Sequence, residues 1–189
     1  MGHTIHALRR NMNMTYIVMD NQIYGLTKGQ TSPSSAKGFV TKSTPKGNIE
    51  KNVAPLELAL SSGATFVAQG FSSDIKALTK MIEDAIHHDG FSFVNVFSPC
   101  VTYNKVNTYD WFKEHLTSID DIEGYDITDK QLAMKTVLVH ESLVKGIVYQ
   151  DTTTPSYESQ ISELEHEALA KRDIHITEET FNDLTAQFL

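Results

Sequence analysis

Residues 15–30, Thr-Tyr-Ile-Val-Met-Asp-Asn-Gln-Ile-Tyr-Gly-Leu-Thr-Lys-Gly-Gln, decide how this chain is read. Thr15 to Met19 is a short, β-rich, buried-looking strand, and from Asp20 the sequence turns polar at once. In open α/β sheets, ligands collect in the crevice beyond the carboxyl ends of the strands, and this run suits that place. Gly25 and Gly29 would let main-chain amides come close to an anion. The Asn21 side chain and the Ile23 carbonyl offer two oxygens from one loop. That is a normal share for Mg²⁺, which takes a few protein oxygens and fills its octahedron with phosphate. The same residue types also build ordinary polar turns, so the chemistry alone leaves both readings open.

Outward from this run, helices and strands alternate. His3 to Asn11 can form a short helix with Ile5 and Leu8 three apart. Residues 31–54 carry Ser, Pro, Gly, Lys and Thr without periodicity, and a loop so long inside a compact domain reads as a site cover. Pro55 and Gly63 frame a helix with Leu56, Leu58, Ala59 and Leu60, followed by a strand from Ala64 to Ala68. Ser72 or Ser73 can cap the next helix, with Ile75, Leu78, Ile82, Ala85 and Ile86 on one face and Gly90 closing it. Phe91 to Phe97 is then another strand. The pattern predicts an α/β fold with a mostly parallel sheet and helices on both faces. Cys100 would lie on the same sheet edge as Asn21. Past residue 104, Tyr109, Trp111, Phe112 and Leu116 lead into an acidic run and a mixed segment to Gln150 in which no chemistry is legible. An amphipathic helix is expected from Pro155 to Arg172, with Ile161, Leu164, Ala168 and Leu169 on its face. A last helix starts at Thr177 and runs through Phe181, Leu184 and Phe188. These helices read as a docking arm.

At 189 residues, 40% hydrophobic and 21% charged, the chain can bury a real core. The single Cys100 rules out an internal disulfide, and no apolar run reaches transmembrane length, so a cytoplasmic protein without a membrane partner is expected. The net charge of −8 is uneven: residues 1–100 carry 9 Lys or Arg against 7 Asp or Glu, and residues 101–189 carry 7 against 17. Lys28, Lys37, Lys42, Lys46 and Lys51 share one stretch with only Glu50 opposing them, as a phosphate-bearing ligand would favour and as solvated loops also show. The acidic total, without interleaved basic and aromatic groups, speaks against nucleic acid. His3 and His6, and the adjacent His87 and His88, lack metal-ligand spacing. His87 and His88 suit the negative end of a helix dipole, and His3 could face the site only indirectly.

The run from Asn21 to Gln30, with Thr31-Ser32-Pro33-Ser34 after it, resembles the β subunit of 2-oxoacid:ferredoxin oxidoreductases, of the 2-oxoglutarate or pyruvate synthase type. Gly2 to Asn11 and Thr41-Lys42-Ser43-Thr44-Pro45-Lys46-Gly47 extend the likeness, which is good over residues 2–117 and looser beyond. The resemblance implies a thiamine diphosphate-binding fold with a helical C-terminal tail. Residues 1–104 would be the C-terminal part of the cofactor domain, and residues 105–189 an extension packing on that domain or on a partner subunit. It implies Asn21 and the Ile23 carbonyl as Mg²⁺ ligands, and Tyr24, Gly25 and Thr27 as neighbours of the cofactor. Leu26 and Lys28 would face substrate or coenzyme A, and Cys100 would be one of four thiolates on a [4Fe-4S] cluster. The reaction implied is oxidative decarboxylation of a 2-oxoacid to acyl-CoA, with electrons passed to ferredoxin and the site completed by an α subunit. The family's Gly-Asp-Gly triplet and its other three cysteines do not occur in this sequence. The chain is therefore expected to be truncated at its N terminus and inactive alone. Two alternatives are an iron-free thiamine diphosphate decarboxylase or synthase, and a non-catalytic interaction subunit.

Overall fold

A computed structural model describes residues 2–188 apart from 165–168, 172 and 174. Helix α1 (Gly2–Arg10) leads into β1 (Met14–Asp20). After the long loop come α2 (Pro55–Ser61), β2 (Phe66–Phe71), α3 (Ile75–His87) and β3 (Phe91–Phe97). Then follow α4 (Tyr109–His115), a two-residue β4 (Thr117–Ser118), α5 (Lys130–Val139), β5 (Val144–Gln150) and α6 (Glu178–Ala186). The sheet order is β1-β3-β2-β5-β4. The pairs β1–β3, β3–β2 and β4–β5 are parallel, and β2–β5 is antiparallel. No helix among the described residues is long and apolar enough to cross a membrane.

Every residue of β2 and β3 is buried, so both read as near-continuous apolar runs rather than as alternating ones. Side chains of successive residues still point to opposite faces. Val67, Phe91 and Phe93 pack with Leu8 of α1, Leu56 and Leu60 of α2 and Val137 of α5. Phe66, Ala68, Val94 and Val96 pack with Met81 and Ala85 of α3. Helices thus cover both faces, as the alternation predicts.

Asn11 ties the amino-terminal ends of these strands. Its Oδ1 accepts from Phe91 N–H at 2.8 Å and from Thr65 Oγ1 at 2.7 Å, and its Nδ2 donates to the Pro155 carbonyl at 3.0 Å. Gly90 must be glycine there: its φ is +135°, and a Cβ would sit 2.5 Å from Asn11 Oδ1.

Several expectations need correction. The strand read as buried, β1, is the sheet edge and exposes Ile17 and Met19, because it pairs with β3 on one side only. Strand β2 starts two residues later than expected and runs to Phe71. The cap of α3 is Asp74, whose carboxylate accepts from Ala77 N–H. Its inward face carries Leu78, Met81 and Ala85, while Ile75 and Ile86 are exposed. His87 and His88 do end α3, as expected, but the His88 ring is buried, with its Nε2 2.7 Å from Thr65 Oγ1.

The mixed segment to Gln150 holds α5 and β5, and β5 pairs with β2 inside the sheet. The first compact unit therefore runs to Tyr157, and a division at residue 104 does not separate two bodies. Residues 158–189 form the second unit. In place of a helix from 155 to 172, the described residues show 3₁₀ turns at Glu158–Gln160, Ser162–Leu164 and Leu169–Lys171. Ala168 and Arg172 lie outside the described residues. The last helix forms as expected, with Thr177 accepting from Thr180 N–H, and it leaves Phe181 and Leu184 exposed.

Candidate functional site

The carboxyl ends of β1 and β3 meet where Asp20 pairs with Phe97, and Ser98 N–H donates to the Asp20 carbonyl at 2.8 Å. Both segments that leave this edge carry candidate residues. From β1, Asn21 folds back so that its Oδ1 accepts from Ile23 N–H at 3.1 Å, a turn in which a side chain replaces a main-chain acceptor. Tyr24 N–H donates to the Gln30 carbonyl at 2.9 Å, and Gly29 N–H to the Tyr24 carbonyl at 3.0 Å, closing the loop on itself. Lys28 and Gly29 have φ of +67° and +93°. Gly29 thus serves the backbone's geometry rather than an approaching anion. Ile23 is buried, Tyr24 half-exposed, Thr27 exposed, and Leu26 fully exposed at the tip.

From β3, Cys100 arrives against this loop. A Cβ built on Gly25 would lie 3.5 Å from Cys100 Sγ and 3.9 Å from Asn21 Nδ2, so these three residues share one spot. Asn104 fastens the two segments: its Nδ2 donates to the Asn21 carbonyl at 3.4 Å, and its Oδ1 accepts from Val106 and Asn107 N–H. Burial would raise the Cys100 thiol, but the main-chain N–H groups of Tyr103, Thr102 and Asn104, together with the Lys105 charge, hold it below the ordinary value. Donors aimed at the sulfur favour its charged form.

The long loop is latched onto the same edge. Ser34 Oγ donates to Asp20 Oδ1 at 2.6 Å, and Ser35 Oγ donates to the Gln22 carbonyl at 2.6 Å. Burial raises the Asp20 carboxyl, with the Ser34 hydroxyl and Gln22 amide opposing. As donors to a cation, Asn21 and Ile23 fit a hard ion. An amide oxygen keeps a second lone pair after one hydrogen bond, and the Ile23 carbonyl accepts none among the described residues. His3 and His6 are exposed, and no group of three metal-ligating side chains occurs among the described residues.

Sequence reasoning missed Asn95 and Gln69, both fully buried in β3 and β2. Gln69 Nε2 donates to the Ser142 and Val144 carbonyls at 2.6 and 2.7 Å, which fixes Oε1 as the acceptor toward Asn95. Asn95 Nδ2 donates to that oxygen at 2.8 Å. Its Oδ1 is therefore turned away from Gln69 and has no hydrogen-bond partner among the described residues. A buried acceptor left this way costs about 1–3 kcal/mol. Asn95 lines a pocket of about 270 Å³ with Asp20, Asn21 and Ile23. An Asn set among the Phe and Val residues of a buried strand was the available signal.

Comparison with known proteins bears on this arrangement. The family model described as thiamine pyrophosphate enzyme, C-terminal TPP binding domain, matches residues 1–96, and the model for the C-terminal part of the pyruvate ferredoxin oxidoreductase β chain matches residues 100–166. A 2-oxoacid:ferredoxin oxidoreductase subunit beta from Sulfolobus sp is 39% identical over 170 residues, covering 85% of this chain and 56% of that protein. A 2-oxoglutarate oxidoreductase subunit KorB from Mycobacterium tuberculosis is 47% identical over 103 residues, 54% of this chain and 28% of its own. A solved structure of 2-oxoglutarate:ferredoxin oxidoreductase from Magnetococcus marinus, with 2-oxoglutarate, coenzyme A and succinyl-CoA bound, superposes with a TM-score of 0.84 at 34% identity. The match covers 97% of this chain and 62% of that one. The chain thus spans little more than half the length of such relatives, 56% in the Sulfolobus case. With a family model over just more than half of its length and these relatives beside it, the chain belongs to the thiamine pyrophosphate enzymes, as a C-terminal TPP-binding domain of the 2-oxoacid:ferredoxin oxidoreductase β-subunit type.

Proposed function

We propose that this chain is the cofactor-holding part of a β subunit in a thiamine diphosphate-dependent 2-oxoacid:ferredoxin oxidoreductase. The complete enzyme oxidatively decarboxylates a 2-oxoacid to an acyl-CoA and passes the electrons to ferredoxin. One observation carries the reading: Asn21, Gly25 and Cys100 converge at the carboxyl ends of two adjacent parallel strands. That edge is where doubly wound sheets take ligands. 2-Oxoglutarate, which the structural neighbour holds, is the first 2-oxoacid to test.

Bound thiamine diphosphate supplies the carbanion stabilisation that loss of carbon dioxide needs. The chain's own residues hold and orient it. Asn21 Oδ1 and the Ile23 carbonyl take Mg²⁺, whose charge fixes the diphosphate. Gly25, without a side chain, leaves room beside Asn21, while Tyr24 and Thr27 flank the diphosphate. Leu26 and Lys28 at the loop tip face the 2-oxoacid or coenzyme A. The Cys100 thiolate, lowered by its amide cradle, ligates a [4Fe-4S] cluster whose other thiolates come from elsewhere in the complete protein. An α subunit supplies the carboxylate that activates the thiamine ring. The lone free cysteine fits a cytoplasmic setting.

Replacing Cys100 with Ser in the complete enzyme, purified without oxygen, separates this reading from an iron-free one. The brown absorbance and ferredoxin reduction are expected to disappear while thiamine diphosphate affinity stays within about twofold, since Cys100 is not a Mg²⁺ donor. A variant with unchanged cluster absorbance removes Cys100 from that role.

A further inference from the structure

A pocket of about 540 Å³ lies at the amino ends of β2 and β3, between the end of α3 and the turn after β5, with Asp84, His87, His88, Asp89, Thr153 and Thr154 in its wall. Strands of six and seven residues put it roughly 20 Å from the edge that carries Asn21. The tautomer of His88 follows from its neighbours. Phe91 N–H holds Asn11 Oδ1 as an acceptor, so the Thr65 hydroxyl, 2.7 Å from that oxygen, donates to it. That hydroxyl has one hydrogen. His88 Nε2, also 2.7 Å from Thr65 Oγ1, must therefore be the N–H of the ring, and the lone pair is on Nδ1. His88 is only 6% exposed, yet Nδ1 is not sealed in, because the one enclosed side-chain N or O atom without a partner among the described residues is Asn95 Oδ1. Nδ1 thus opens on the pocket that its ring lines. The rest of the wall also presents acceptors. His87 Nδ1 donates to the Glu83 carbonyl at 2.8 Å, which leaves Nε2 as an acceptor. The hydroxyl hydrogens of Thr153 and Thr154 go to Asp151, whose carboxyl they hold down at about 2, so their oxygens offer lone pairs alone. Asp84 and Asp89 add two carboxylates, and no Lys or Arg is among the described residues of the wall. Lys80, which pairs with Asp84, stands outside it, and Asp89 Oδ1 accepts from Asn13 Nδ2 at 3.3 Å.

We propose that this pocket binds a small organic cation bearing N–H donors, a primary ammonium or diamine, with one N–H on His88 Nδ1 and its charge balanced by Asp84 and Asp89. The site stands apart from the thiamine diphosphate edge and does not depend on that reading. Two carboxylates in the wall, with Asp151 behind them, repel an anion, and a quaternary cation has no hydrogen to give Nδ1. The acceptor is in place before any ligand arrives, because Asn11 and Thr65 tie the ring to the main chain of β3. Preorganisation of this kind lowers the entropic cost of binding. Burial holds the imidazole below 6.5 against the pull of Asp89 and Asp151, so the ring is neutral at pH 7.5 and keeps its lone pair.

Calorimetric titration of the full 189-residue chain with 1,4-diaminobutane at pH 7.5 tests the proposal, with tetramethylammonium and inorganic phosphate as comparison ligands at equal ionic strength. Saturable binding of the diamine is expected, with tetramethylammonium at least about tenfold weaker, the loss of one hydrogen bond from a charged donor, and no binding of phosphate. His88→Phe keeps an aromatic ring beside Phe66 and removes Nδ1, and it is expected to weaken the diamine about tenfold. The Asp84→Asn, Asp89→Asn pair is expected to weaken it about tenfold with a loss of salt dependence, and serves if His88→Phe does not fold. Lowering the pH to 5.5 protonates His88 and turns Nδ1 into a donor, so the parent's affinity should fall, and by more than that of His88→Phe. The proposal is overturned if the diamine does not saturate the chain, if phosphate binds in its stead, or if the variants bind the diamine as well as the parent. It is also overturned if tetramethylammonium binds as tightly as the diamine, since a chain of net charge −8 attracts any cation.

Discussion

Gln69→Leu probes the polar network that underlies the site. The side chain is fully buried and makes three hydrogen bonds: two from Nε2 to the Ser142 and Val144 carbonyls, and one from Asn95 Nδ2 to Oε1. Leucine fills nearly the same volume, so the change removes bonds without opening a large cavity. At about 0.5–1.5 kcal/mol each, three bonds amount to about 1.5–4.5 kcal/mol. The added apolar surface returns about 1 kcal/mol, for a net loss near 2 kcal/mol. Asn95→Leu behaves differently. It deprives Gln69 Oε1 of its donor, yet it also removes an acceptor that already lacks a partner, so its stability should stay within about 1 kcal/mol of the parent. Urea unfolding at constant m-value measures both changes. Equal losses for the two variants, or a Gln69→Leu loss under about 0.5 kcal/mol, would refute the assigned orientation of the two amides.

Burial holds the His88 imidazole below its ordinary value of 6.5, with Asp89 and Asp151 opposing. As pH falls past 6.5 the unfolded chain takes the proton first, so stability is complete above that pH and is lost toward the folded value. Unfolding free energies between pH 7.5 and 5 should show this slope, and His88→Gln should flatten it. The Cys100 thiol should alkylate with a pH midpoint below the ordinary 9.0, and Lys105→Gln should raise that midpoint. A midpoint at or above 9.0 contradicts the amide cradle. Gly29→Ala should cost about 1–2 kcal/mol, because its φ is +93° and a Cβ would press on Tyr103 at 3.3 Å. Gly25→Ala meets Cys100 Sγ only at 3.5 Å and should change stability by less than about 0.5 kcal/mol, as thermal unfolding would report.

The sequence made much of this legible where local signals agree with the fold. Phe91 to Phe97 is a strand with the expected ends, and Pro55 opens α2, because apolar runs and proline act locally. The meeting of Asn21 and Cys100 was legible because parallel strands bring their carboxyl ends to one edge. Strand β5 was not, since Lys145 and Gly146 interrupt its apolar pattern and its antiparallel pairing with β2 is a long-range choice. The exposure of β1 follows from strand order, which composition does not encode. Ile75 misled the reading of α3 because it sits at the first turn, before the helix meets the sheet. The Asn95–Gln69 pair was invisible for a related reason: its meaning depends on two carbonyls more than 70 residues away.

The central claim is that Asn21 and the Ile23 carbonyl hold the divalent ion of thiamine diphosphate. Calorimetric titration of the complete enzyme with thiamine diphosphate and Mg²⁺, comparing the parent with Asn21→Ala, tests it most directly. The account predicts at least about a tenfold loss of cofactor affinity, the effect of one lost charge-assisted ligand, with the unfolding midpoint otherwise kept. Equal affinity in parent and variant would contradict it.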